Sequence, residues 1–187
     1  MLFRSRHQYQ FNETIVFLTL GTGIGGALFI NGELFQGHFG LGGELGVMPM
    51  VINDEVLNWE DVASTTAMVQ LYQKQCDVSD KDNVNGKFII QRFNNGDSLA
   101  IEVVNQTAKN VALGVASYIN ILNPKKVVIG GGISNAGDFF IDKVKEYTQL
   151  YALKECMENV SIERAKLGNA AGLVGAAIFG LNNITNH

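Results

Sequence analysis

Thr19-Leu20-Gly21-Thr22-Gly23-Ile24-Gly25-Gly26 is a glycine-rich loop between two short apolar runs. Thr14 to Leu20 is β-branched, aromatic and nearly free of charge, which predicts a buried strand. Ala27 to Ile30 resumes the apolar pattern. Asn31-Gly32 then supplies two residues that tolerate positive φ in a tight type I′ turn, and Glu33 to Gln36 returns. The unit is strand, glycine loop, strand, turn, strand. Glycines in such a loop let the backbone approach a ligand closely, and they turn its N–H groups and the Thr22 hydroxyl toward an anion such as a phosphate. A glycine hairpin with no ligand is the plainer use of the same residues.

Gly21, Gly23 and Gly26 also fit G-x-G-x-x-G, the dinucleotide-binding fingerprint. That fingerprint requires a helix to open at its last glycine. Ala27-Leu28-Phe29-Ile30-Asn31-Gly32 has no cap and runs at once into a hairpin turn, so this reading fails. No Gly-Lys-Ser/Thr follows the glycines, which excludes a Walker A loop.

The 187 residues are 47% hydrophobic, enough for one domain or one large lobe with a real core. A net charge of −4 without a basic stripe argues against a nucleic-acid partner. Cys76 and Cys156 are too few for a disulfide framework and form no CxxC pair, which argues for a reducing cytosol and against a zinc site. The basic start, Met1 to His7, has no long apolar stretch behind it, and no apolar run reaches membrane length. A cytoplasmic protein without a membrane partner is expected.

Further along, the glycine-dense stretch Gly37 to Gly46 leads through a polar link to a predicted helix, Ser64 to Lys74, with Ser64 as N-cap. Asp77 to Gly86 is charged and non-periodic, which predicts a loop. Ile101, Val104, Ala108, Val111, Val115, Ile119 and Leu122 recur at helical spacing, predicting a helix from Ser98 to Leu122 after an Asp97 cap and before Asn123-Pro124. A strand at Lys126 to Ile129, a turn at Gly130 to Gly132, a helix at Gly137 to Ala152, a strand at Val160 to Arg164 and a helix at Ala170 to Leu181 complete the reading. The order, three antiparallel strands and then helix, strand, helix, strand, helix, predicts an α/β layer on one mixed sheet.

Four motifs in order carry a resemblance: the glycine loop, Gly43-Glu44-Leu45-Gly46, Val128-Ile129-Gly130-Gly131-Gly132-Ile133-Ser134 and Ala171-Gly172-Leu173-Val174-Gly175-Ala176-Ala177. Together they resemble the C-terminal lobe of ROK family sugar kinases, within the superfamily of actin, hexokinase and Hsp70 ATPases. The resemblance implies a ribonuclease H-like lobe with a mixed five-stranded sheet, its three antiparallel strands first. It covers residues 14 to 187, with a helical and loop insertion at about 53 to 96 and residues 1 to 13 as a remnant linker. The implied reaction is transfer of the ATP γ-phosphoryl group to a sugar hydroxyl, with Mg-ATP as the donor in a complete kinase.

Roles carry over by position. Gly21, Thr22, Gly23, Gly25 and Gly26 resemble the loop around the ATP phosphates, and Gly130, Gly131 and Gly132 resemble the turn beneath the adenosine. Without the other motifs, the latter glycines make only a strand-to-helix turn. Glu44 matches the glutamate of the family's E-x-G-H motif, which binds sugar hydroxyls, and Glu60 matches a later glutamate that also faces the sugar. Taken alone, Glu44 is a solvated loop acid and Glu60 an acid favoured by a helix N-terminus. Trp59, the single tryptophan, is assigned to core packing rather than to the sugar pocket, and His38 to the surface.

Departures from the family pattern set further expectations. Val47 stands where most members have histidine, and the cysteine-rich zinc segment is missing, so no zinc and one fewer sugar contact are expected. The Asp-x-Gly-Gly-Thr motif and the Asn-Asp pair with the general base are absent from the matching positions, and Asn53-Asp54 lies on the wrong side of the glycine loop. The isolated chain is therefore expected not to phosphorylate sugars. An alternative is a non-catalytic sugar-binding or assembly module, or half of a two-chain kinase. A family repressor is disfavoured, since residues 1 to 13 are too short for a helix-turn-helix segment. The apolar last helix, with Leu173, Val174, Ile178 and Leu181, leads us to expect a homo-oligomer or a partner chain bringing the first lobe.

Overall fold

The computed structural model describes residues 13–76, 83–133 and 137–165. Strand β1 (Ile15–Leu20) pairs antiparallel with β2 (Ile24–Ile30), and β2 with the short β3 (Glu33–Leu34). The turn between β2 and β3 is the one expected, with Asn31 at φ 53° and Gly32 at φ 83°. A hairpin follows, β4 (Pro49–Ile52) and β5 (Glu55–Asn58). Then come α1 (Glu60–Ala63), α2 (Thr65–Gln75), α3 (Gly86–Asn94), α4 (Ser98–Leu122), β6 (Lys126–Gly131), α5 (Asp138–Tyr151), α6 (Lys154–Met157) and β7 (Ser161–Arg164). The main sheet has the order β3-β2-β1-β6-β7, with β1, β6 and β7 mutually parallel. The fold is α/β with a mixed five-stranded sheet, as the order of elements implied.

Alternation along β1 explains how the sheet sits. Val16, Leu18 and Leu20 are buried, while Thr19 between them is exposed. The buried set joins Val127 and Ile129 of β6 and the inner face of α4, including Val104, Val111 and Val115, in one core cluster. Helix α4 is the hub: α2, α3 and α5 all pack on it. Its ends are those the sequence predicted. The Asp97 carboxylate accepts from the Ala100 amide at 2.8 Å, and Asn123 closes the helix in the left-handed region at φ 41°. No helix among the described residues is long and apolar enough to cross a membrane.

Several features differ from the sequence expectation, among them the short helices α1 and α6. The β4–β5 hairpin was not expected; it turns at Asn53 and Asp54, whose φ values are 51° and 65°. Its residues are largely exposed, Val51 and its partner Val56 at 74% and 72%, so no buried alternation advertises it. Helix α3 was also missed: Asn85, inside the expected loop, accepts from the Phe88 amide at 3.1 Å and starts it. Finally, Gly130 and Gly131 end strand β6 opposite Thr19 and Leu20 instead of forming the turn. The expected helix at Ala170 to Leu181, and the association surface assigned to it, lie outside the described residues.

Trp59 is fully buried, as its assignment to the core required, and its indole Nε1 donates to the Asn110 carbonyl of α4 at 2.9 Å. Gly114, one turn along α4, leaves the space the indole occupies; a Cβ there would overlap the ring. We predict that Gly114→Ala lowers stability by about 1–3 kcal/mol through overpacking. A glycine-to-alanine change in a helix ordinarily gains up to about 1 kcal/mol. A urea midpoint that rises in the variant contradicts this packing.

Candidate active site

The loop between β1 and β2 closes on itself, with the Gly21 amide donating to the Gly23 carbonyl at 3.0 Å. Among the described residues the Thr22 and Gly23 amides have no acceptor of their own. Two adjacent unengaged donors in a loop that brings no charge form a site suited to an anion. Beside them Glu60 opens α1, and its Oε2 accepts from the Ile24 amide at 3.0 Å. Its other carboxylate oxygen, Oε1, has no hydrogen-bond partner among the described residues.

Two glycines make room for this carboxylate. A Cβ on Gly23 would overlap Glu60 Oε2, and one on Gly46 would come within 3.0 Å of the same atom while overlapping the Ile24 carbonyl. Glu60 is placed by its neighbour, because the Trp59 amide donates to the Met48 carbonyl at 2.8 Å while the Trp59 indole is fixed on α4. Asn110 adds to this by donating its side-chain amide to the Val62 carbonyl at 2.8 Å. The adjoining short helical turn at Leu45–Val47 is held by the Tyr118 hydroxyl, which donates to the Leu45 carbonyl at 3.0 Å. Burial raises the Tyr118 pKa above its ordinary 10.0.

A cleft of about 880 Å³ opens over these groups. It is bounded by the glycine loop and Glu60, by the exposed side of α2 from Thr65 to Gln73, by Val84 to Gly86 and by Gly131 and Gly132. Of the residues singled out in the sequence, it unites Gly21, Thr22, Gly23, Gly25, Glu60, Gly131 and Gly132. Gly26 does not line it; a Cβ there would stand 2.5 Å from Leu45 Cγ and 2.7 Å from the Gly43 carbonyl, so this glycine serves packing. Gly130 is buried beneath the cleft against Ala165. Glu44 is exposed ahead of the Leu45–Val47 turn and does not line the cleft. His38 is exposed, as expected.

The α2 residues of the cleft, among them Thr65, Thr66 and Gln70, were not singled out in the sequence. The available signal was the Ser64 cap, since it points the start of a helix at whatever precedes it. Gly131 has φ +94°, and a Cβ there would overlap the Leu20 carbonyl, which explains a glycine at the strand end. Among the described residues no group of three His, Cys, Asp or Glu side chains could hold a metal ion, and Glu60 is the only acid lining the cleft.

The model of the ROK family matches residues 5–182. This chain belongs to the ROK family. A glucokinase of Halalkalibacterium halodurans is 29% identical over 180 residues, covering 87% of this chain and 54% of that protein. A xylose repressor of Caldicellulosiruptor bescii is 28% identical over 176 residues, covering 86% of this chain and 44% of the repressor. A ROK family glucokinase from Streptomyces griseus, whose crystal structure is a complex with glucose and AMPPNP, superposes with a TM-score of 0.81 at 27% identity. That match covers 89% of this chain and 60% of the glucokinase. The ROK chain described here is thus sugar-kinase-like, with the actin-like ATPase fold of the ROK kinases, and it spans about half the length of the curated relatives it matches.

The two glycines beside Glu60 separate a movable obstacle from a fixed one. Gly23→Ala displaces a carboxylate that can swing away, at the cost of one charge-assisted hydrogen bond, about 1.5–3 kcal/mol. Gly46→Ala meets the Ile24 carbonyl, which cannot move without β2. Urea unfolding is expected to show the larger loss for Gly46→Ala, and the reverse order contradicts the placement of Glu60.

Proposed function

We propose that this chain forms the nucleotide-binding side of an ATP-dependent sugar kinase, which transfers the γ-phosphoryl group to a hexose hydroxyl. The observation that carries the reading is the Glu60 carboxylate beside the glycine loop in one cleft, with one oxygen engaged by the Ile24 amide. In this reading the Thr22 and Gly23 amides receive the β- and γ-phosphates, where fixed donors stabilise the charge that shifts during transfer. Gly131 and Gly132 lie under the nucleoside, where a side chain would obstruct it. Glu60 Oε1 accepts from sugar hydroxyls, and Glu44, which does not line the cleft, is a second acceptor by its place in the family motif alone. Thr22 supplies a hydroxyl at the loop, which would suit Mg²⁺ arriving as the nucleotide complex. The bound ion screens phosphate charge. No zinc enters this scheme.

A kinase also needs a general base within hydrogen-bond reach of the attacking hydroxyl. The 187 residues contain no Asn-Asp ahead of the glycine loop. In the proposed scheme the base comes from residues outside this sequence, in a first lobe of the same protein or of a partner, and these residues alone bind without turnover. The second reading, a sugar-binding module without catalysis, is favoured by Glu60 being the single acid in the cleft among the described residues. Either acts in the cytoplasm.

Isothermal calorimetry with glucose, with and without Mg-ATP, tests the proposal. The expected outcome is binding heat without sustained turnover, with Glu60→Gln weakening the sugar about tenfold or more, as loss of a charge-assisted acceptor requires. Sustained turnover by these residues alone overturns the missing-base argument. Unchanged sugar affinity in Glu60→Gln overturns the site.

A further inference from the structure

Thr65 opens α2 and lines the cleft, where it meets several of the segments that form it. Its amide donates to the Gly21 carbonyl at 2.9 Å, and its hydroxyl donates to the Leu20 carbonyl at 3.3 Å. The two carbonyls at the entry to the glycine loop thus end on one residue. On the far side, a Cβ on Gly86 would lie 2.9 Å from the Thr65 methyl, and one on Gly132 would lie 3.8 Å from its hydroxyl. One residue thus reaches β1 with its hydroxyl and the glycine loop with its amide, and its side chain stands beside the start of α3 and the residue that follows β6.

The loop itself has little to hold it. Gly21 and Gly23 carry no side chains to pack, and glycine gives up more conformational freedom on ordering than any other residue. Its direction must be imposed from outside. A trans peptide is planar, so fixing the Gly21 carbonyl fixes the Thr22 N–H, which points the opposite way on the same plane. Fixing the Leu20 carbonyl likewise orients the Gly21 N–H, which is the donor to Gly23. At the exit of the loop Glu60 takes the Ile24 amide. The loop is therefore clamped at both ends by the segment from Glu60 to Thr65, which is itself anchored through Trp59 to α4.

We propose that Thr65 is a positioning residue that orients the glycine loop for a triphosphate, acting through the Gly21 and Leu20 carbonyls without contacting the sugar. The proposal rests on the kinase reading of the cleft. A loop already set in the bound geometry binds more tightly because less order is lost on association. Removing the hydroxyl therefore weakens nucleotide binding and leaves sugar binding intact.

The test compares Thr65→Val, which keeps the shape and the amide, with Thr65→Ser, which keeps the hydroxyl. Each protein is titrated separately with Mg-AMPPNP and with glucose, and amide exchange at Gly21 is followed without ligand. For Thr65→Val we expect about three- to tenfold weaker AMPPNP binding, one hydrogen bond's worth. Glucose affinity should be unchanged, which also reports an intact fold, and Gly21 exchange should be faster. Thr65→Ser should restore the wild-type AMPPNP affinity. Wild-type AMPPNP affinity in Thr65→Val overturns the proposal alone, as does an equal loss for glucose and nucleotide or a serine variant no better than valine. A wild-type chain that takes glucose but no AMPPNP overturns the kinase reading and this proposal together.

Discussion

The candidate site depends on the packing of one tryptophan against one glycine. Trp59 is fully buried, and it fits against α4 because Gly114 carries no side chain. The indole also binds the Asn110 carbonyl, so both its apolar body and its polar edge are satisfied. This contact fixes where α1 begins. Glu60 follows at once and reaches the Ile24 amide, and Thr65 reaches Gly21 a turn later. A rigid scaffold thereby sets the position of a loop that has almost no packing of its own.

Helix α4 serves the site a second time through Tyr118. Its hydroxyl holds the Leu45 carbonyl, next to Glu44, while its ring lies 5.8 Å from that of Trp59. Both segments bearing the candidate sugar acids therefore rest on the same helix, one through Trp59 and one through Tyr118. The two acids are not equivalent. Glu60 is half-buried, with one oxygen engaged, whereas Glu44 is exposed and outside the cleft lining. A half-buried carboxylate already bound to the loop is held in one geometry, and an exposed one is not.

How much of this was legible in the sequence follows from how each feature is stabilised. Strands β1 and β6 read as apolar runs, β3 was placed by the Asn31-Gly32 turn, and the long α4 was readable because its apolar residues recur at helical spacing and its ends carry caps, Asp97 and Asn123. The β4–β5 hairpin was not, because Val51 and Val56 face solvent and the Asn53-Asp54 turn stands without buried strands beside it. Helix α3 was hidden by an asparagine-rich approach that reads as loop until the Asn85 cap is seen in place. For the site, glycine spacing located Gly21 to Gly25 and Gly131 to Gly132. The role of Gly26 in packing, and that of Thr65, depend on contacts across 45 residues between Leu20 and Thr65, or on the approach of Leu45 to β2, which no local pattern records.

In the proposed site the amides of the glycine loop are the anion-binding donors, held in place by Glu60 and Thr65. Backbone amide resonances of the ¹⁵N-labelled protein, followed during titration with Mg-AMPPNP, test this. The largest shifts are expected on Thr22 and Gly23, with smaller ones on Ile24 and Gly132. Saturating shifts confined to other surfaces, with the Thr22 and Gly23 resonances unmoved, would contradict it.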